Sequence, residues 1–196
     1  MKIIGMQAGL FAENCYLLAS EQGNAAVIDP GGSAGRILDT LRKQGWTLRM
    51  ILLTHGHFDH IGALDELCAA APEAPVYLHR ADLEMLADPE KNAAADMGMP
   101  LCAKAKADPL EDGDTLGLDE LTIRLIHTPG HSKGSAVYLA GDALFTGDTL
   151  FCGGMGRYTT CCWPSRRLRC LRCRICCTAC AACGRCTCSR SCSTGS

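Results

Sequence analysis

The sequence predicts an α/β domain with mixed sheets, built as two layers or as a sandwich. Strand-like apolar runs dominate, and segments with helical spacing are inserted after pairs of them. At 196 residues and 47% hydrophobic content, the chain is long enough for one domain with a core of its own.

Residues 1–30 read as a β-meander. Apolar runs at 15–19 and 25–28 flank the turn-like Glu21-Gln22-Gly23-Asn24, and Asp29-Pro30-Gly31-Gly32 ends the second run. Ser33 is placed to cap a helix in which Ala34, Ile37, Leu38 and Leu41 recur at helical spacing, and Gly45 stops it. The strand Met50-Ile51-Leu52-Leu53 follows. Ala63, Leu64, Leu67, Cys68 and Ala71 then mark an amphipathic helix ended by Pro72. Val76-Tyr77-Leu78 is a short strand leading to His79, which opens a helical segment with Leu83 and Leu86 and reads as a structural histidine. Residues 88–112, Ala-rich and broken by Pro89, Pro100 and Pro109, read as a surface loop bordering a site. Strand patterning returns at 121–126, 136–139 and 143–145.

The chain is organised around Thr54-His55-Gly56-His57-Phe58-Asp59-His60. Three imidazoles and a carboxylate fall within six residues, directly after a strand that would release them into a loop. Those residue types at that spacing are the ligands of borderline metals. Asp59 and His60 fall near the N-terminus of the next helix, where free N–H groups favour negative charge. Two later motifs carry further ligand types: His127-Thr128-Pro129-Gly130-His131-Ser132 and Thr146-Gly147-Asp148-Thr149. Each is unspecific alone. Together, in this order and separated by strands, they specify a metal site.

The pattern His55-x-His57-x-Asp59-His60 resembles the signature of the metallo-β-lactamase superfamily. From Met1 to Arg157 the chain resembles its compact glyoxalase II-like (hydroxyacylglutathione hydrolase-like) members. The resemblance implies a four-layer αββα sandwich, incomplete at the C-terminus. It also implies a first metal on His55, His57 and His131, a second on Asp59 and His60, and Asp148 bridging both. Asp29 would either orient a ligand or serve its turn alone, and His127 would support a ligand rather than bind metal. Two zinc ions are implied, with iron or manganese as alternatives; the diiron flavoproteins of the superfamily carry Glu where this chain has His57. Metal lowers the pKa of water to roughly 7. The implied activity is therefore hydrolysis of a small-molecule thioester or ester by metal-bound hydroxide, with Asp59 as the catalytic residue that orients it. The alternatives are a mononuclear iron persulfide dioxygenase, using His55, His131 and Asp148 as a facial triad, and an inactive metal-binding protein.

The resemblance stops after Arg157. Its continuation would bring a Gly-His-Gly segment whose histidine completes the second metal, and no histidine follows His131 here. Residues 1–157 thus read as the hydrolase domain and 158–196 as a Cys/Arg-rich tail. All 21 acidic residues precede Met155, whereas eight of the 19 basic residues lie from Arg157 onward. The acidic body is not a nucleic-acid binder on charge grounds. Eleven of the 15 cysteines lie in the tail, which from Thr159 has no Asp, Glu, Lys, His, Val, Phe or Met. A reading-frame shift in GC-rich DNA would produce such a composition. If each cysteine replaces a leucine, Cys170, Cys173, Cys177 and Cys180 fall at helical spacing. The rival is a functional tail in which Cys177, Cys180, Cys183 and Cys186 hold zinc or an iron–sulfur cluster. The scattered Cys15, Cys68, Cys102 and Cys152 read as buried thiols of a reducing compartment. No signal-peptide pattern opens the chain and no apolar run approaches the ~20 residues of a membrane span, so the cytoplasm is the expected location, without membrane attachment.

Overall fold

The computed structural model describes residues 1–151 and 153–157. The proposed frame shift and the Cys-x-x-Cys ligands lie outside these residues. Two sheets stack face to face. The first holds six strands in the order β1 (Lys2–Ala8), β2 (Glu13–Ala19), β3 (Asn24–Ile28), β4 (Thr47–Leu53), β5 (Val76–His79) and β6 (Asp108–Leu110). The second holds β10 (Ala143–Phe145), β9 (Ala136–Ala140), β8 (Leu121–His127) and β7 (Thr115–Leu118) in that order. β1, β2 and β3 pair antiparallel, as the meander reading requires, while β3 through β6 run parallel. The second sheet is wholly antiparallel.

The side-chain alternation of β4 explains why two layers meet this sheet. Ile51 and Leu53 point into a core with Ile37 and Leu41 of α1 (Ala34–Gln44) and Leu64 and Leu67 of α3 (Leu64–Ala70). Met50 and Leu52 point the other way, into a core with Ile123, Leu125 and Tyr138 of the second sheet. Both faces of the strand are buried, so it reads as one continuous apolar run. Each fully buried Leu or Ile there contributes roughly 1.5–3 kcal/mol. Helices, first sheet and second sheet are three layers of the αββα sandwich. Among the described residues no α-helix follows α3.

The structure corrects several local expectations. Ser33 does not cap α1: its φ is +58° and its side chain makes no capping hydrogen bond, whereas Gly45 ends the helix as expected. The helix expected from Ala63 to Ala71 is α3, but a short additional helix, α2 (Phe58–Ile61), precedes it and is parted from it at Gly62. A Cβ on Gly62 would collide with the Gly31 carbonyl, so the break is the close approach of two loops. The segment after His79 is a 3₁₀ turn, Arg80–Met85. Within 88–112 lies β6, concealed by Pro109. Proline cannot donate to a ladder and is confined to edge strands such as this one. Cys15 is buried, but Cys68 is half-buried and Cys102 exposed. No helix among the described residues is long and apolar enough to cross a membrane.

Candidate metal centre

The strands converge at one edge of the sandwich. β3 and β4 run parallel and end at Ile28 and Leu53, directly before Asp29 and the histidine loop. The N–H of Ala136, at the start of β9, donates to the Thr54 carbonyl at 2.8 Å, which ties the second sheet to that loop. β8 ends at His127, four residues before His131, and β10 ends at Phe145, three before Asp148.

Three imidazoles face one another there. Ring centroids are 4.7 Å apart for His55–His57, 4.7 Å for His55–His131 and 4.6 Å for His57–His131, with interplanar angles of 85–88°. His57 Nδ1 lies 2.8 Å from His131 Nε2. A second set, His55, His60 and Asp148, likewise offers ligand atoms within 4.8 Å of one another. Asp148 spans the two sets: one carboxylate oxygen is 3.4 Å from His60 Nε2 and the other 3.4 Å from His131 Nε2. Asp59 stands further off, with Oδ2 4.0 Å from His60 Nε2, and joins neither set.

Neighbouring groups fix which nitrogens face inward. Asp29 accepts hydrogen bonds from the Thr54 N–H and the Thr54 hydroxyl, both at 2.7 Å. The hydroxyl proton is thereby committed, and the Thr54 oxygen is free to accept from His55 Nδ1, 3.1 Å away. That leaves a bare Nε2 on His55, buried and without a partner. The Arg157 carbonyl, 2.8 Å from His131 Nδ1, can only accept and so sets the same tautomer. Asp29 also lies 3.1 Å from His60 Nδ1, so it serves a candidate ligand as well as its turn. Its backbone is held at φ +51°, a conformation that costs a non-glycine residue of order 1 kcal/mol. Gly147, at φ +45°, permits the Asp148 turn: a Cβ there would strike the Thr54 side chain.

Burial lowers the His55 pKa well below its ordinary value, and the facing His60, His57 and His131 add to the effect. Burial, with His131, brings His57 down to about 4. Both are therefore neutral at neutral pH, with lone pairs ready for a cation. Burial also opposes charge on His60, but Asp29, Asp148 and Asp59 hold its pKa well above the ordinary value. Burial pushes Asp148 up, yet His60, His131 and His57 hold it below the usual carboxylate range. The bare His55 Nε2, in a cluster of imidazoles that converges on the Asp148 carboxylate, fits a metal ion.

The two remaining histidines stand apart. His79 and His127 stack on each other, centroids 3.8 Å apart and planes 9° apart. His79 Nδ1 accepts from the Ala81 N–H, in keeping with a structural role. His127 does not support a ligand as expected. It ends β8 with its N–H on Asp112, and its Nε2 lies 2.9 Å from the Lys133 carbonyl.

Two residues that sequence reasoning missed shape the site. Asp82 is fully buried and accepts from the Gly56 N–H at 3.2 Å, the Ser132 hydroxyl at 2.5 Å and the Gly134 N–H at 2.6 Å. It thus clamps the His55–His57 loop to the His131 loop. Glu13 sits behind Gly31, where both its oxygens are buried without hydrogen-bond partners, and burial pushes its pKa up to about 7. The unfolded carboxyl ionises near 4.5, so the metal-free folded state holds this proton longer. Its stabilising share is complete below about pH 4.5 and is lost as pH rises towards 7. In chelator, Glu13→Gln should therefore match the wild type near pH 4.5 and exceed it by about 1 kcal/mol near pH 8, after discounting for a half-buried group. Urea unfolding at the two pH values checks this; an equal difference at both refutes it.

The profile of the Metallo-beta-lactamase superfamily matches residues 8–171. The chain is 41% identical over 161 residues to "Probable metallo-hydrolase YqgX" of Bacillus subtilis, covering 80% of this chain and 75% of that one. It is 33% identical over 151 residues to "Hydroxyacylglutathione hydrolase GloC" of Haemophilus influenzae, covering 75% and 71%. The solved structure of TTHA1623 in a di-iron-bound form superposes with a TM-score of 0.70 at 33% identity, covering 88% of this chain and 83% of that one. With the two sheets and the convergent histidines, these matches place the chain in the metallo-β-lactamase superfamily.

Proposed function

We propose that this chain is a zinc-dependent hydrolase of small-molecule thioesters, of the glyoxalase II kind. The observation that carries the reading is the pair of ligand sets joined by Asp148. His55, His57 and His131 would hold one ion; His60, Asp148 and the more distant Asp59 would hold the other. A set of imidazoles and carboxylates suits zinc, with iron as the alternative. When bound, the metal pair supplies Lewis acidity and water that ionises near neutral pH.

The chain's own residues do the rest. Asp148 spans the two sets and would be the carboxylate common to both ions. Asp59, the more distant carboxylate of the second site, would also hold a proton of the attacking water and orient it. Asp29 and Thr54 keep His60 and His55 aimed inward. In the reaction the water oxygen joins the acyl carbon, the carbon–sulfur bond breaks, and the water proton goes to the departing sulfur. The catalytic domain spans residues 1–157, with 158–196 appended as a tail.

Elemental analysis of the purified full chain, paired with hydrolysis of S-lactoylglutathione and of acetyl-N-acetylcysteamine, tests the reading. Asp59 stands 4.0 Å from His60 and joins neither close ligand set, so the second ion should be lost first to a chelator. The expected result is two zinc ions, one easily stripped, with turnover that follows the second. A single tightly held iron would point to the oxygenase alternative. Substoichiometric metal without turnover would show a metal-binding chain that is not an enzyme.

A further inference from the structure

Beside Asp59 lies a cavity of about 400 Å³ whose side-chain walls are mostly hydrocarbon, with Ser33 and Asp59 as the polar side chains among the described lining residues. Leu10 and Phe11 reach it from the β1–β2 turn, Phe58 from α2, and Met99 and Leu101 from the segment before β6. Phe11 packs edge-on against Phe58 with ring centroids 5.3 Å apart. Among the described residues of the lining, Asp59 is the only ionisable one and none is cationic. Leu10 is 86% exposed and Phe11 47%, so two large apolar side chains stand in water at the border of the metal centre. A second cavity, of about 210 Å³, is different in kind: His57 and His131 share it with Lys91, Lys133 and Glu84. The two cavities have no lining residue in common.

We propose that the cavity beside Asp59 is an acyl subsite for an unbranched apolar chain, and that Leu10 and Phe11 are its specificity-determining residues. The proposal rests on the thioester hydrolase reading. A carboxylated acyl group would find no cationic partner among the described lining residues and would face Asp59 across an apolar wall, at the cost of its hydration. An alkyl chain instead covers exposed hydrocarbon. Charged parts of the thiol are better served by the lysine-bearing cavity. The preferred substrate is thus a medium-chain acyl thioester rather than a hydroxyacyl one.

The test separates this proposal from the reading beneath it. S-butyl- and S-octyl-N-acetylcysteamine are thioethers that lack the thioester carbonyl and offer no thioester bond to hydrolyse, so calorimetry with the zinc-loaded full chain reads binding alone. Full burial of one methylene is worth about fourfold in affinity, so in a partly open cavity the octyl compound should bind at least about tenfold tighter than the butyl one. Leu10→Ser and Phe11→Ser, both in an exposed turn, should each reduce that ratio at least about threefold. Equal binding of the two thioethers, or a ratio that survives both substitutions, overturns the subsite. Turnover of acetyl-N-acetylcysteamine on the same preparation reports on hydrolysis separately. Chain-length preference without turnover leaves the subsite standing and removes the hydrolase; turnover without preference does the reverse.

Discussion

Asp148→Ala should purify without metal at either position. Among the described residues Asp148 is the only one whose oxygens approach both His60 and His131, each at 3.4 Å, so its loss opens both ligand sets at once. A histidine substitution in the first set leaves His60 and Asp148 in place and should be milder for the second ion. Lewis-acid stabilisation is worth several kcal/mol, and at about 1.36 kcal/mol per tenfold in rate turnover should fall by at least about 10²-fold. The fold should survive. Asp148 is partly exposed in a short turn, outside both hydrophobic clusters. Elemental analysis and circular dichroism of the variant against chelated wild type decide the matter. Retention of full metal content would remove Asp148 from the site.

The candidate ligands were legible because the histidine motif is local: His55, His57, Asp59 and His60 are presented by one loop and one short helix. His131 and Asp148 were legible through the resemblance of their two motifs to those of the superfamily, each following a strand-like run. The order of distance was not legible. Asp59 has the spacing of a ligand but stands outside both sets, because its position on α2 is fixed by the packing of Gly31 against the Asp59 backbone, where a Cβ would collide. His127 lies in a ligand motif yet turns towards His79, a contact between residues 48 positions apart that no local pattern encodes. β6 escaped notice for the opposite reason. Its three residues and its proline resemble a loop, and only the parallel ladder with β5 makes them a strand. Asp82 was illegible altogether, since nothing within the His79–Leu86 segment marks it.

That last residue carries the second large effect. Asp82→Ala should weaken zinc binding at the first set by about 10- to 100-fold, the range for residues that orient ligands without touching metal. The carboxylate holds Gly56, between His55 and His57, and also Ser132 and Gly134, which follow His131. Removing it frees two loops that must agree in position for three imidazoles to share one ion. The metal-free protein should also lose about 3–5 kcal/mol, because buried donors left without an acceptor cost roughly 1–3 kcal/mol each. Two further variants separate this role from simple space filling. Asp82→Asn keeps the volume, but its single acceptor oxygen cannot serve both backbone N–H groups, and its amide nitrogen would face a donor; it should be nearly as damaging as alanine. Ser132→Ala removes one of the three donors and leaves the carboxylate on Gly56 and Gly134, so its effect should be at most about 1–2 kcal/mol. Zinc competition titrations and urea unfolding in chelator read the two quantities independently. If Asp82→Ala loses stability yet binds zinc as the wild type does, Asp82 belongs to the fold alone, and the two ligand loops must be held by the Ala136–Thr54 and Tyr138–Leu53 hydrogen bonds between the sheets.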